Sequence, residues 1–129
     1  MPRKPRDYFL SDYMHVMVQG DEKKFIFRYD EQKRFYEELM LKKANENEVK
    51  VVAYCVMGNH VHMLLYSRDV KNVSKMMHVI NLSYARFYNK NKNVVGHVFR
   101  DRFRSENIFS KRYLICCTKY FFLLSSSNT

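Results

Sequence analysis

Residues 56–65 read Val-Met-Gly-Asn-His-Val-His-Met-Leu-Leu, and this stretch decides the fold. Gly58 and Asn59 are a turn signal between two apolar segments, so the sequence predicts a β-hairpin at the middle of the chain. Residues two apart on a strand project from one face, so His60 and His62 are expected to lie side by side. Two adjacent imidazoles are a start for a divalent-metal site. The simpler alternative is a hydrogen-bonded or solvated position at a strand edge.

Strand and helix patterns interleave around this hairpin. The predicted strands are residues 13–19, 49–56 and 61–66, with a short one in the alternating segment 96–105. The predicted helices are residues 30–47, residues 72–89 and one that begins at Ser110. Asp30 and either Asn72 or Ser74 are the expected N-caps of the first two helices. On the first strand, His15 shares a face with Tyr13, Met17 and Gln19. This order predicts an α+β fold with helices packed on an antiparallel sheet.

Length and composition restrict the class of protein. The chain has 129 residues and 47% hydrophobic residues, which suits a single domain over residues 1–129 with its own core. No apolar run reaches the roughly 18 residues of a membrane span, so we expect no membrane segment. The cysteines are Cys55 and the adjacent pair Cys116 and Cys117, an odd count that disfavours a disulfide framework. The expected location is the reducing cytoplasm.

The charge of the chain indicates a polyanionic partner. Lysine and arginine number 23 and aspartate and glutamate 13, a net charge of +10. Nucleic acid is the favoured partner, and an acidic membrane surface is the weaker alternative. Three arginines share one face of the alternating segment and could neutralise phosphates or stack on bases: Arg100, Arg102 and Arg104. A solvated edge is the alternative interpretation of that face. Another candidate DNA-binding group is the basic N-terminus, with Arg3, Lys4 and Arg6.

Two tyrosines of the last predicted helix are candidate nucleophiles. Tyr113 and Tyr120 are seven residues apart and therefore share a helical face. A tyrosine hydroxyl, whose pKa is ordinarily about 10, reacts only when a base or a metal activates it. The pattern does not separate the two tyrosines, and a structural role is the alternative for each.

The order of these motifs resembles a known family. The His60-Val61-His62 step is similar to the histidine–hydrophobic–histidine motif of the HUH endonucleases. The whole chain more closely resembles the single-tyrosine transposases of insertion sequences and their REP-associated tyrosine transposase relatives. The matching blocks are residues 13–20, 25–31, 54–65, 84–89 and 96–103, in the family's order.

The resemblance implies a function and a fold. The fold would be the ferredoxin-like sandwich of the HUH endonucleases, and the activity metal-dependent cleavage and rejoining of single-stranded or hairpin DNA. His60 and His62 would hold Mg²⁺ or Mn²⁺. Tyr120, within Lys119-Tyr120-Phe121, matches the family's nucleophile and would form a 5′-phosphotyrosine intermediate. The oligomeric state stays open, with a homodimer as one alternative.

The C-terminus departs from the family's pattern. Leu124 stands four residues after Tyr120, where the family has a polar third metal ligand, and a leucine cannot ligate a metal. The family's usual continuation is also replaced by residues 123–127, Leu-Leu-Ser-Ser-Ser, so we expect a C-terminus that is divergent or shortened relative to the family. A non-catalytic DNA- or RNA-binding protein, derived from a decayed or repurposed transposase, is therefore the main alternative. A replication-initiator nuclease, which shares the paired histidines, is a weaker one.

Overall fold

A computed structural model describes residues 12–92, 98–99 and 103–108, together with Arg112 and Lys119. Its strands are β1 (Tyr13–Gln19), β2 (Lys50–Val56), β3 (His60–Tyr66) and β4 (Arg104–Ile108). Its α-helices are α1 (Asp30–Glu46) and α2 (Val70–Lys92), and a short 3₁₀ helix covers Asp21–Lys23. None of the helices in these ranges is long and apolar enough to cross a membrane.

The four strands form one antiparallel sheet in the order β2-β3-β1-β4. The chain order βαββαβ on this sheet is the ferredoxin-like arrangement, which confirms the predicted α+β fold. The predicted first strand and hairpin are confirmed as well. In the hairpin, the backbone N–H of Met57 donates to the carbonyl of His60 at 2.8 Å. The register between β2 and β3 shifts between Val51 and Ala53.

Both α-helices cover the same face of the sheet, which we call the helix face. Strand alternation sends Met14, Val16 and Val18 of β1 to this face, opposite Leu65, Met63 and Val61 of β3. These six residues belong to one buried cluster that also contains residues of both helices: Tyr36, Met40, Ala44, Val73, Met76, Met77, Ile80 and Tyr84. The core therefore lies between sheet and helices. The opposite side, the second face, carries the remaining strand residues.

Both helices begin earlier than predicted. The N-cap of α1 is Tyr29 rather than Asp30, and the Tyr29 N–H donates to Gln32 Oε1 at 2.9 Å. The start of α2 at Val70 makes Asp69 the residue before its first turn, in place of Asn72 or Ser74. The Asp69 carboxylate accepts the N–H of Lys71 at 2.9 Å. Apolar periodicity failed to predict this first turn because Val70 and Lys71 are exposed and add nothing to the buried stripe.

The loop after β1 is bound to the hairpin turn. Gly20 donates its N–H to the carbonyl of Asn59 at 2.9 Å, and Phe27 donates to that of Gly58 at 3.0 Å. A Cβ on Gly20 would lie 2.5 Å from the backbone oxygen of Lys24, so the loop needs glycine there. These contacts fix the position of the turn that precedes His60.

Candidate functional site

The candidate site lies on the second face of the sheet, on its two central strands. Met17 of β1 is the cross-strand partner of His62 of β3, and His15 lies two residues earlier on β1. His60 and His62 project from the same side of β3, as alternation predicts, with ring centroids 4.8 Å apart and ring planes at 88°. His62 is buried, at 7% exposure, and His60 is half-buried. The two rings therefore converge on one small region.

Asn59 orients the His60 ring. The Nδ1 of His60 lies 2.7 Å from Asn59 Oδ1, and the Asn59 Nδ2 donates to the carbonyl of Lys23 at 3.5 Å. The second contact makes the Asn59 oxygen the atom that faces His60. An amide oxygen only accepts, so the proton of neutral His60 resides on Nδ1. The lone pair at Nε2 is then the one that can bind a cation.

His62 has a corresponding contact through its own Nδ1. That atom lies 3.1 Å from the Nε2 of His15, a hydrogen-bonding distance between two ring nitrogens. The contact joins β1 and β3 on the second face. In each ring of the pair the Nδ1 thus faces a protein group, Asn59 for His60 and His15 for His62.

The surroundings keep these histidines neutral. Burial lowers the pKa of His62 to about 4, with smaller contributions from the nearby His60 and His15 rings. Burial also lowers the pKa of His60 and that of His15, and Glu106 opposes the latter effect. Neutral imidazole is the form that binds metals, because a protonated ring offers no lone pair. At neutral pH the rings are therefore already in the form that binds a metal, and acidification would protonate them and remove that form.

A thiol also lies on this face but is a poor ligand. Cys55 is the cross-strand partner of His62 and lies 3.4 Å from the sulfur of Met57. Burial raises the pKa of the Cys55 thiol, which keeps it protonated at neutral pH. Metals bind the thiolate rather than the thiol. The donor atoms of this region are therefore ring nitrogens.

The residues present fit a divalent cation only in part. Two neutral imidazoles on one strand can share an ion. Within the described ranges, however, no group of three or more His, Cys, Asp or Glu side chains could hold a metal ion. His15 does not serve as a third ligand through Nε2, because that atom faces His62. A further ligand has to come from elsewhere.

Few of the other predicted site residues can be placed. Arg104 is exposed on β4, beside a pocket of about 370 Å³ that His15, Met17, Ser105 and Glu106 also line. Lys119 is helical and exposed. The remaining predicted residues lie outside the described residues: Arg3, Lys4, Arg6, Arg100, Arg102, Tyr113, Tyr120 and Leu124.

His15 is the site residue that sequence reasoning did not single out. Its signal was present, because alternation put it on one face of β1. The sequence did not show that β1 pairs with β3 in a register that brings His15 to His62, 47 residues away. Alternation alone therefore did not identify His15 as a site residue, because the strand order was also needed.

Comparisons with known proteins agree with this fold. The family described as "Transposase IS200 like" matches residues 9–120. The solved structure of a REP-associated tyrosine transposase bound to a REP hairpin matches with a TM-score of 0.67 and 13% identity, over 95% of this chain and 72% of that chain. A candidate transposase from Deinococcus radiodurans R1 matches with a TM-score of 0.58 and 17% identity, over 95% of this chain and 98% of that one. A search of the curated proteins gave no match. At these identities the structural likeness shows a shared fold.

Proposed function

The chain belongs to the IS200-like transposase family, and on this premise we propose that it cleaves and rejoins single-stranded DNA through a covalent tyrosine intermediate. The observation that carries the proposal is the pair of neutral imidazoles, His60 and His62, on one face of the central strand β3. A purely structural role would explain this pair less well, because placing a buried and a half-buried histidine side by side costs desolvation free energy.

Tyr120 is the proposed nucleophile. Its hydroxyl oxygen attacks a backbone phosphorus, and the bond from phosphorus to the 3′-oxygen breaks. The tyrosine proton ends, directly or through water, on the released 3′-hydroxyl. The other product is DNA linked to Tyr120 by a 5′-phosphotyrosine. This diester retains the energy of the original bond, so attack by a 3′-hydroxyl rejoins the strand without a nucleotide cofactor.

His60 and His62 are the proposed ligands of the family's divalent cation. Both would bind through Nε2, since both use Nδ1 toward protein groups. Such a cation supplies Lewis-acid polarisation of the scissile phosphate. Of the two expected ions, imidazole donors suit Mn²⁺ better than Mg²⁺, which prefers oxygen ligands. The protein's own contribution is to present two uncharged rings in a fixed orientation.

The proposed partner is single-stranded or hairpin DNA. One relative of the same fold was solved bound to a REP hairpin. The net charge of +10 supports a polyanionic partner here. Arg104, exposed near His15, together with Arg100 and Arg102, would contact phosphates, with Arg3, Lys4 and Arg6 as a further basic group. We propose that this activity takes place in the cytoplasm. For the oligomeric state we propose a homodimer.

The test is covalent capture. The protein is incubated with Mn²⁺ and single-stranded DNA from its own genomic flanks, and adducts are separated on a denaturing gel. We expect an adduct that Tyr120→Phe abolishes and Tyr113→Phe retains. His60→Ala should also abolish the adduct while most DNA binding persists, because phosphate contacts dominate affinity. An adduct lost in Tyr113→Phe but formed by Tyr120→Phe would assign the nucleophile to Tyr113.

Leu124 favours a second candidate function, DNA or RNA binding without cleavage. A leucine at the position of the family's third ligand predicts a weak metal site and slow cleavage or none. Leu124→Asn restores an amide oxygen there. We expect this variant to form more adduct than wild type at equal DNA affinity. Efficient cleavage by the wild type would remove the reason for the non-catalytic alternative.

A further inference from the structure

The contact between His15 and His62 joins the rings edge to edge. The ring planes differ by only 21°, yet the centroids are 5.3 Å apart. Phe35 and Phe87 of the same protein, which do stack face to face, have centroids 3.8 Å apart at 8°. The longer separation, with 3.1 Å between His15 Nε2 and His62 Nδ1, means that the nitrogens point at each other near the ring planes. This is the geometry of a hydrogen bond.

Proton counting leaves two arrangements for this bond. Both rings are neutral at pH 7, since burial lowers the pKa of each, so each carries one N–H. If His62 donates from Nδ1, its Nε2 keeps a lone pair. If His15 donates from Nε2, His62 must carry its proton on Nε2, and no lone pair remains there for a metal. The direction of one hydrogen bond thus decides whether His62 can act as a ligand.

Glu106 favours the first arrangement. It is the cross-strand partner of His15 on β4, and its charge raises the pKa of that ring. Side chains of directly opposed residues in an antiparallel pair are neighbours. An ionised carboxylate only accepts hydrogen bonds, so it stabilises the His15 tautomer with the proton on Nδ1. The Nε2 of that tautomer is an acceptor, as donation by His62 requires.

We propose that His15 is a positioning residue, which accepts the Nδ1–H of His62 and, under the influence of Glu106, holds His62 in the tautomer with an available Nε2. The chain Glu106–His15–His62 extends the familiar carboxylate–histidine–metal arrangement by one ring. His15 would therefore orient the His62 ring, as Asn59 orients the His60 ring. The inference rests on the metal role proposed above, although the tautomer itself is a property of the metal-free protein.

The first test reads the tautomer directly. Long-range ¹H–¹⁵N spectra of the metal-free protein at pH 7.5 distinguish a protonated Nδ1 from a protonated Nε2. We expect His62 protonated on Nδ1 in wild type and in His15→Gln, whose amide oxygen can still accept. His15→Phe, a ring without an acceptor, should shift His62 toward the Nε2 proton. A wild-type His62 protonated on Nε2 would overturn the proposal, even if a variant failed to fold.

The second test measures Mn²⁺ binding by calorimetry, without DNA. Loss of an orienting partner typically weakens metal affinity by about 10- to 100-fold, which is the effect expected for His15→Phe. His15→Gln should remain close to wild type, and Glu106→Gln should fall between them. Unchanged tautomer and affinity in His15→Phe would refute the positioning role. If wild type shows the Nδ1 tautomer but binds no Mn²⁺ at His62, the proposed metal function fails separately from the tautomer assignment.

Discussion

At the scale of single residues, His62 is the residue whose protonation state is most restricted by its surroundings. Its side chain is 7% exposed and contacts two other imidazoles, those of His15 and His60. Burial lowers its pKa to about 4 from an ordinary value of 6.5. A buried ring of this kind is compatible with the fold only while uncharged. Folding and the candidate chemistry therefore require the same protonation state.

This coupling predicts loss of stability on mild acidification. As the pH falls below about 6.5, the unfolded state takes up a proton on His62 before the folded state does, so the free energy of unfolding decreases toward pH 4. Between pH 7.5 and 5 we expect wild type to lose about 2 kcal/mol more than His62→Gln, which cannot titrate there. Urea titrations of metal-free protein at both pH values measure the difference. Parallel losses in the two proteins would contradict the prediction.

At the scale of elements, the first turn of α2 depends on local polar contacts. Asp69 accepts the N–H of Lys71, and Ser67 Oγ accepts the N–H of Asp69 at 3.3 Å. These bonds satisfy amide groups that have no partner within the helix. The turn therefore forms although Val70 is 53% exposed and contributes little to the core.

Asp69→Ala tests this capping role. Loss of the side-chain acceptor should cost about 1 kcal/mol and lower the melting temperature by roughly 3–5 °C. Ser74→Ala is the matched control, since Ser74 is exposed inside the helix and should shift stability by no more than about 0.5 kcal/mol. Thermal unfolding followed by circular dichroism compares the two. A larger loss of stability in Ser74→Ala than in Asp69→Ala would contradict this capping role and support the later helix start predicted from the sequence.

At the scale of the whole molecule, positive charge exceeds negative charge. Lys43 and Glu46 form an exposed ion pair at 3.1 Å within α1, and the net charge of the full sequence is +10. Such an excess favours long-range attraction of a polyanion. DNA binding through such charges releases counterions and weakens as salt is added.

The arginine face can be tested against a control of equal charge. On single strands, each phosphate contact contributes about −0.7 to the slope of log K against log salt. Replacing Arg100, Arg102 and Arg104 together by Gln should flatten that slope by up to about 2. Replacing three exposed helical lysines, Lys42, Lys71 and Lys75, removes the same charge and should change the slope by less than one contact. Equal flattening in both variants would mean diffuse binding with no preferred arginine face.

The sequence by itself determined β1, the central hairpin, the two α-helices and the paired histidines, whereas the last strand, predicted within residues 96–105, is Arg104–Ile108. Alternation with period 2 located β1 and placed His60 and His62 on one face, because side-chain direction along a strand is a local property. Helical periodicity likewise predicted the buried stripe of α2, including Met76, Ile80 and Tyr84. Its ends were predicted less well, since Asp69 acts through a hydrogen bond that hydrophobic periodicity does not show.

Only the tertiary structure decided which distant residues meet. The strand order puts β1 between β3 and β4, and this alone brings His15 to both His62 and Glu106. Cross-strand neighbours depend on register between segments far apart in the chain, and a shift of one residue would turn His15 to the helix face. The physical reason is that local patterns fix the direction of a side chain, whereas its partner is fixed by the pairing that buries the most apolar surface.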